Sequence, residues 1–294
     1  MRRYEVLAPA KVNLALHVLG RRPDGFHELF MLMVPISLAD RLEVEVGGAA
    51  ARLRVPGHPE LEGEENLCVR AARAFAARTG LPGGAAITLH KQVPFAAGLG
   101  GGSSDAAAVL RCLAAAHGLS VDDERIRAAA LDVGSDVPFF LRCEPAIVRG
   151  RGEILSPAPP LPPLWLLIVK PPFGISAGEA YTALARLRAE GTLPGGYIPD
   201  LPDAFSTPQE VFGFLHNDLE AAVERGGWPT RGIEERLLAA GAPAALLSGS
   251  GSCVFALLPT PEAQANCSKS IRLLPGESLF AARTLQAAPA LHET

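Results

Sequence analysis

The sequence lacks several features that would assign it to a simple class of protein. Its five cysteines form no CxxC pair, and its seven histidines show no HxxxH spacing. We therefore expect that the cysteines are reduced and that the chain has no structural zinc site. The chain also has no large excess of charge of one sign, because its 27 lysine and arginine residues nearly balance its 31 aspartate and glutamate residues. This balance gives no reason to expect nucleic acid or an anionic membrane as a partner.

A long uninterrupted apolar helix is also missing. Residues 237–261 are 25 residues without a formal charge, but their centre reads SGSGS and they contain Pro243 and Pro259. Glycine and proline interrupt a helix, so this stretch predicts a buried helix, a glycine turn and a strand instead of a membrane span. The start, MRRYEVLAPAK, lacks the apolar segment of a signal peptide. We expect a soluble, cytoplasmic protein.

Glycine and proline are abundant. The chain has 294 residues, of which 30 are glycine and 26 are proline, against an average of roughly 12% for the two together. A hydrophobic share of 48% excludes a disordered chain, and the length suggests about two domains. The excess therefore indicates turns, or places where the backbone comes close to another group.

Strand and helix patterns alternate without a strict βαβ rhythm, which predicts an α+β fold. Strand-like segments fill the first 55 residues, and residues 86–93, 164–170 and 252–258 continue the pattern. Helices are predicted at residues 67–79 after Asn66, at 105–117, at 122–133, and in three segments of the second half. Residues 156–163, SPAPPLPP, contain five prolines and are predicted to connect two domains.

A glycine-rich loop lies between the strand at 86–93 and the helix at 105–117. Residues 98–102 include four glycines, and Ser103 and Ser104 follow them. Glycines let successive backbone N–H groups converge on an anion, and a helix N-terminus favours negative charge, so the loop predicts a phosphate site. A tight turn with serine caps is the alternative interpretation. Asp105 in the first turn would repel phosphate, so we expect its side chain to point away or to face a metal ion.

The segment PFAAGLGGGSSDAAA at residues 94–108 resembles the ATP-binding signature of the GHMP kinases, named for galactokinase, homoserine kinase, mevalonate kinase and phosphomevalonate kinase. Four more segments agree with one branch of that family and keep its order: residues 8–29, 132–141, 149–155 and 246–257. That branch acts on cytidine diphosphate methylerythritol in isoprenoid biosynthesis. The resemblance covers most of the chain.

The resemblance implies a two-domain fold, with a domain like domain 2 of ribosomal protein S5 at residues 1–155 and a ferredoxin-like domain at 164–294. It implies transfer of the ATP γ-phosphate to the 2-hydroxyl of the acceptor, with Mg²⁺ held mainly by ATP and the chain a monomer or weak homodimer. It assigns ATP binding to Pro94, Phe95, Ala96, Ala97, Gly98, Leu99, Gly100, Gly101, Gly102, Ser103 and Ser104. The alternatives are a homoserine or mevalonate type of kinase, or a non-catalytic nucleotide-binding regulator.

Two residues are candidates for catalysis. Lys11 is one of four lysines among the 27 basic residues, and a lysine inside an apolar strand can supply a point charge beside a carboxylate. A strand-edge lysine that reaches water is the alternative. Asp136 follows Gly134 and precedes Pro138, which by itself fits an ordinary turn aspartate. The resemblance implies that Asp136 is the base and that Lys11 keeps it ionised.

Four residues are candidates for acceptor binding. The resemblance implies that Asn13, Phe26 and His27 contact the cytosine and the erythritol, and Tyr181 is a second candidate for stacking. Many relatives have tyrosine where this chain has Phe26, so stacking is retained here without the hydroxyl. The SGSGS segment at residues 248–252 is expected to line the cleft with backbone amides, and a plain tight turn is its alternative.

Overall fold

The computed structural model describes residues 2–294 of the chain. Its strands are β1 (Arg2–Arg21), β2 (His27–Val46), β3 (Arg52–Arg54), β4 (Ala85–His90), β5 (Ala146–Gly150), β6 (Ile154–Pro157), β7 (Trp165–Lys170), β8 (His216–Asn217), β9 (Ala244–Leu247), β10 (Val254–Leu258), β11 (Ser278–Arg283) and β12 (His292–Glu293). Its helices are α1 (Leu67–Thr79), α2 (Gly101–Ala116), α3 (Glu124–Val133), α4 (Val137–Arg142), α5 (Ala177–Ala189), α6 (Pro208–Phe214), α7 (Asp218–Arg225), α8 (Arg231–Ala239) and α9 (Pro261–Ser270).

The strands form two sheets. The larger sheet has the order β12-β1-β2-β4-β3, with β5 and β8 pairing with β2 and β1, and β6 pairing with β5. The smaller sheet is antiparallel with the order β11-β7-β10-β9. Two short strands from the second half, β8 and β12, thus belong to the larger sheet. Residues 158–164 have no regular structure and run between β6 and β7; the domain boundaries stay a prediction.

The first hairpin is longer than the sequence pattern indicated. The two apolar runs on either side of Pro9 form one strand, β1, and the pairing of β1 with β2 shifts register between Pro9 and Lys11. An irregularity at this point accommodates proline, which cannot donate a ladder hydrogen bond. The hairpin therefore carries Lys11 and Asn13 on the same strand.

Helix ends follow the local signals closely. The side chain of Asn66 accepts from the N–H of Cys68 at the start of α1, and Gly80 ends that helix with φ of 71°. Helix α3 begins at Glu124, two residues later than predicted, because the side chain of Asp123 caps it by accepting from the N–H of Arg125. These caps confirm the predicted helices at 67–79 and, with shifted starts, at 122–133.

Three local predictions are corrected by the structure. Helix α2 begins at Gly101 instead of Asp105, so two loop glycines are helical. Strand β4 ends at His90, because the N–H groups of Gln92 and Val93 donate to Asp40 instead of to a neighbouring strand. Strand β9 lies directly before the SGSGS turn, where a helix was expected. Helix α8 ends a few residues upstream of this strand.

None of the helices among residues 2–294 combines the length and apolar character that crossing a membrane requires.

Candidate active site

The glycine loop forms one wall of a cavity of about 250 Å³. Ten of the eleven residues predicted to bind ATP line this cavity, together with Leu67 and Lys91: Pro94, Phe95, Ala96, Ala97, Gly98, Leu99, Gly100, Gly101, Gly102 and Ser103. Ser104 is the exception, because it is buried inside α2 and its N–H donates to the carbonyl of Gly100. The loop thus presents backbone and the α2 N-terminus to an open space, as a phosphate site needs.

Close approach of backbone to backbone explains the glycine at position 98. A Cβ at Gly98 would lie 1.8 Å from the carbonyl oxygen of Ser248. The hydroxyl of Ser248 donates to the carbonyl of Gly98 at 3.1 Å, and the N–H of Cys253 donates to the carbonyl of Ala97 at 3.2 Å. The SGSGS turn therefore supports the glycine loop, besides contributing Gly249 and Ser250 to the larger cavity described next.

A second cavity, of about 670 Å³, adjoins the first and shares Gly98 and Gly100 with it. The structure brings to this cavity all six residues predicted for catalysis and acceptor binding: Lys11, Asn13, Phe26, His27, Asp136 and Tyr181. They come from β1, from the β1–β2 turn, from the start of β2, from the N-terminus of α4 and from α5. Their roles stay predictions, but their convergence is a property of the fold.

Lys11 and Asp136 form the charged pair in this cavity. The Lys11 Nζ lies 4.0 Å from Oδ2 of Asp136 and donates to Oδ1 of Asn13 at 2.5 Å. Lys11 is buried, and burial lowers its pKa below the usual lysine value, while the charge of Asp136 opposes that change. The side chain of Asp136 is 34% exposed and that of Lys11 is 6% exposed, and both residues line the cavity.

Asp136 lies at the N-terminus of the short helix α4. It immediately precedes the helix, and Pro138 occupies one of the first two helical positions, where the missing N–H of proline costs nothing. Asp136 makes no capping hydrogen bond with its side chain. The sequence predicted a turn here but missed the short helix after it, which is buried from Val137 to Leu141.

Aromatic rings gather at the other end of the cavity. The rings of His27 and Tyr181 stack with centroids 4.7 Å apart. Burial lowers the pKa of His27, and the charges of Arg21 and Arg188 lower it further, so the imidazole is neutral near pH 7 and can both donate and accept. Phe26 is 48% exposed, and the guanidinium of Arg151 lies 4.9 Å from the centre of its ring.

Sequence reasoning missed several charged residues near these cavities. Arg21 and Arg151 line the larger cavity, where they add positive charge to that of Lys11. Lys91 lines the smaller cavity and pairs with Asp40 and Asp105. The scarcity of lysine, which singled out Lys11, applied equally to Lys91. Asp105 is buried beside Lys91 and does not line the loop cavity. This agrees with the expectation that its side chain points away from the loop.

One group of potential metal ligands lies elsewhere. His17, His216 and Asp218 offer ligand atoms within 4.8 Å of one another. The two imidazole rings stack at 11° to each other, so their in-plane lone pairs do not converge on one ion. Asp218 also pairs with Arg188 at 2.8 Å. This group links β1 to the start of α7 and takes no part in either cavity.

The chain matches two family domains and several known proteins. The N-terminal domain of the GHMP kinases matches residues 66–144, and the C-terminal domain matches residues 229–272. The 4-diphosphocytidyl-2-C-methyl-D-erythritol kinase of Anaeromyxobacter dehalogenans (strain 2CP-C) is 47% identical over 263 residues, which cover 87% of this chain and 81% of that protein. The protein of the same name from Geobacter metallireducens is 42% identical, covering 92% of this chain and 95% of its own length.

Solved structures agree with these matches. A crystal structure of 4-(cytidine 5'-diphospho)-2C-methyl-D-erythritol kinase superposes with a TM-score of 0.73 at 38% identity, covering 95% of this chain and 98% of that one. Homoserine kinase from Cytophaga hutchinsonii gives a TM-score of 0.71 at 16% identity, covering 99% and 97%, and this likeness shows the fold alone. The fold is thus the two-domain GHMP kinase fold that the resemblance implied. With the glycine loop, the paired cavities and these relatives in agreement, the chain belongs to the GHMP kinase family.

Proposed function

We propose that this chain transfers the γ-phosphate of ATP to the 2-hydroxyl of 4-diphosphocytidyl-2-C-methyl-D-erythritol, a step in the non-mevalonate synthesis of isoprenoid precursors. Relatives that carry the name of this kinase and are 40–47% identical support it. The structural observation that carries the proposal is the pair of adjoining cavities. One is walled by the glycine loop, and the other contains the Lys11–Asp136 pair.

The larger cavity fits the chemistry of such an acceptor. A cytosine needs aromatic faces and a hydrogen-bonding ring edge, which Phe26, Tyr181 and the neutral imidazole of His27 offer. A diphosphate needs positive charge, which Arg21 and Arg151 offer in the same cavity. A smaller acceptor such as homoserine would leave the aromatic end of the cavity unused.

In the proposed mechanism the chain orients the acceptor hydroxyl and neutralises charge, and it forms no covalent intermediate with the phosphoryl group. Asp136 accepts the proton of the acceptor hydroxyl, and Lys11 favours the ionised carboxylate and the oxygen that attacks. Asn13 fixes the ammonium by accepting its hydrogen bond. The transition state of phosphoryl transfer is loose, so placing the hydroxyl in line contributes as much as removing its proton.

Magnesium belongs to the proposal because it neutralises the phosphates of ATP in kinases. Among the described residues that line the two cavities, Asp136 is the one carboxylate, and aliphatic hydroxyls come from Ser103, Ser135, Thr182 and Ser250. Mg²⁺ prefers oxygen ligands and keeps several waters beside substrate phosphates. With a single carboxylate, this donor set fits an ion carried mainly by ATP.

The experiment is an ADP-release assay with purified protein, ATP and Mg²⁺. We expect turnover with the cytidine diphosphate acceptor, with a phosphorylated product identified by mass spectrometry, and none with homoserine or mevalonate. Turnover with homoserine but not with the cytidine compound would overturn the substrate. Tight ATP binding without phosphorylation of any of the three alcohols would instead support a non-catalytic nucleotide-binding protein.

A further inference from the structure

The segment that follows β7 packs against the glycine loop. Every residue that lines the smaller cavity belongs to the first half of the chain, between Leu67 and Ser103. Residues 171–174 belong to the second half, between β7 and α5. A Cβ at Gly174 would lie 2.8 Å from the Cβ of Ala96, so this segment touches the loop without lining its cavity.

Five successive carbonyl oxygens of the loop, those of residues 96–100, accept hydrogen bonds from other parts of the chain. Their donors are, in order, the N–H of Ser252, the N–H of Cys253, the hydroxyl of Ser248, the N–H of Lys11 and the N–H of Ser104. In a trans peptide the carbonyl and the following N–H point in opposite directions, so each fixed carbonyl also fixes the next N–H. Among residues 2–294, no N–H of residues 95–100 donates to a backbone carbonyl, which leaves these donors available to an anion.

Ala96 has an unfavourable backbone conformation within this loop. Its φ is +46°, a left-handed value that residues with a Cβ rarely adopt. Gly98 and Gly100 have φ of +73° and +70°, but glycine adopts such values without a steric penalty. Ala96 is therefore the loop residue whose conformation must be maintained by contacts with its surroundings.

Two polar side chains of the second half meet at the carbonyl of Phe173. The hydroxyl of Ser252 donates to this carbonyl at 2.6 Å. The Nζ of Lys170 donates to it at 2.6 Å and to the carbonyl of Pro171 at 2.6 Å. Ser252 is buried, and its N–H is the donor to the carbonyl of Ala96 at 3.4 Å. Ser252 thus connects the segment that Lys170 holds with the strained loop residue.

Lys170 uses its ammonium for carbonyl oxygens instead of a carboxylate. The ion pairs of lysine among residues 2–294 are made by Lys11 and Lys91, and Lys170 lines neither cavity. An ammonium has three donors on a flexible stem, which suits it to hold several carbonyl oxygens of one turn. The proposed chemistry gives this residue no role, although lysine is scarce in the chain.

We propose that Lys170 is a positioning residue for the nucleotide. Together with Ser252 it fixes residues 171–174 against the loop and keeps Ala96 in its left-handed conformation. The N–H groups that follow Ala96 are then held in the direction that an anion in the smaller cavity requires. Lys170 acts through Phe173 and Ser252 and does not touch the ligand. The inference rests on the proposed function to the extent that the anion is ATP.

Removal of the ammonium tests this role. Lys170→Met keeps an unbranched side chain but removes its donors, so the Kd of a non-hydrolysable ATP analogue, measured by calorimetry at pH 7, should rise about tenfold. Ser252→Ala removes the hydroxyl that meets the same carbonyl and should raise the Kd by a similar factor. Lys269→Met, at an exposed lysine in the last turn of α9, is the matched control and should bind the analogue like wild type.

The substitution Ala96→Gly separates positioning from a general structural role. Glycine adopts a left-handed φ without a penalty, so the loop should no longer need the contacts that Lys170 maintains. In the Ala96→Gly background, adding Lys170→Met should therefore raise the Kd less than about threefold, against about tenfold in the wild-type background. A loss of packing alone would weaken binding by the same factor in both backgrounds.

Two results would overturn the proposal. One is a Kd in Lys170→Met within about threefold of wild type, and the other is a loss of about tenfold that persists in the Ala96→Gly background. If Lys170→Met does not fold, the same comparison is made with Ser252→Ala. If the analogue does not bind the wild-type protein, the proposed function fails and this inference fails with it. Binding to wild type that Lys170→Met leaves unchanged overturns the inference alone.

Discussion

The ammonium of Lys11 lies 4.0 Å from Oδ2 of Asp136, although the two residues belong to β1 and to the start of α4. The backbone N–H of the same lysine donates to the carbonyl of Leu99 at 2.9 Å. One residue thus touches the proposed base with its side chain and the glycine loop with its main chain. The proposed acceptor site and the proposed nucleotide site are therefore parts of one unit.

Replacing Asp136 by asparagine tests the proposed base. Asp136→Asn keeps the size of the side chain but removes proton acceptance, so we expect kcat to fall roughly 10²- to 10⁴-fold, with the Kd of ATP nearly unchanged. Steady-state kinetics and calorimetry measure the two quantities. Asp132→Asn, whose surface carboxylate pairs with Arg78, serves as the control. Wild-type turnover in Asp136→Asn would remove this residue from the mechanism.

The pH profile tests the charge of Lys11. Burial lowers its pKa below the usual value of 10.5, against the opposing effect of Asp136. A lysine that must be cationic loses its function as the pH rises, so kcat/KM for the acceptor at saturating ATP should fall on the alkaline side, below pH 10.5. In Lys11→Arg the guanidinium stays protonated, and the residual activity should lack this fall. An alkaline fall at the same pH in both proteins would assign it to another group.

A substitution at Gly100 tests whether the position of the glycine loop matters for ATP. Gly100 has φ of +70°, and a Cβ there would lie 2.9 Å from the Phe140 ring and 3.2 Å from Cγ of Lys11. Gly100→Ala should therefore displace the loop and lower kcat/KM for ATP about 10- to 100-fold. Gly118 has φ of +68° but open space around it, so Gly118→Ala carries the same backbone strain and should keep normal kinetics. Equal effects of the two variants would mean that strain alone, not loop position, explains the loss.

Tyr181 tests the recognition of the base. Its ring stacks on His27 within the larger cavity, and loss of one aromatic stacking partner costs about 1–3 kcal/mol per base. Tyr181→Ala should raise the KM of the cytidine acceptor about 5- to 150-fold, with the KM for ATP unchanged. Tyr197→Ala removes a tyrosine that packs on His17, outside that cavity, and is the control. An unchanged acceptor KM in Tyr181→Ala would exclude the ring from base binding.

The residues 191–209, which the sequence left without a role, have a structural one at their start. Gly196 packs onto the carbonyl of Val18, since a Cβ there would lie 2.0 Å from that oxygen. Arg188, at the end of α5, donates to the same carbonyl at 2.5 Å and to Asp218 at 2.8 Å. These contacts attach α5, and with it Tyr181, to β1.

Sequence alone determined the parts of this protein that depend on neighbours in the chain. Asn66 and Gly80 marked the ends of α1 because a cap needs only its own helix. The order of glycines and serines in the loop predicted a phosphate site between a strand and a helix, since backbone geometry there is local. The motifs spread over the chain also determined the family, because their order survives without any knowledge of contacts.

The tertiary structure decided which distant side chains meet. Nothing near Asp136 in the chain indicates Lys11, and nothing near Lys91 indicates that Asp40 and Asp105 share its ammonium. Pairing of β1 with β2 made one strand across Pro9, because a register shift accommodated the proline. Charge pairing and burial act through space, so the positions of these groups follow from the fold and not from the local sequence.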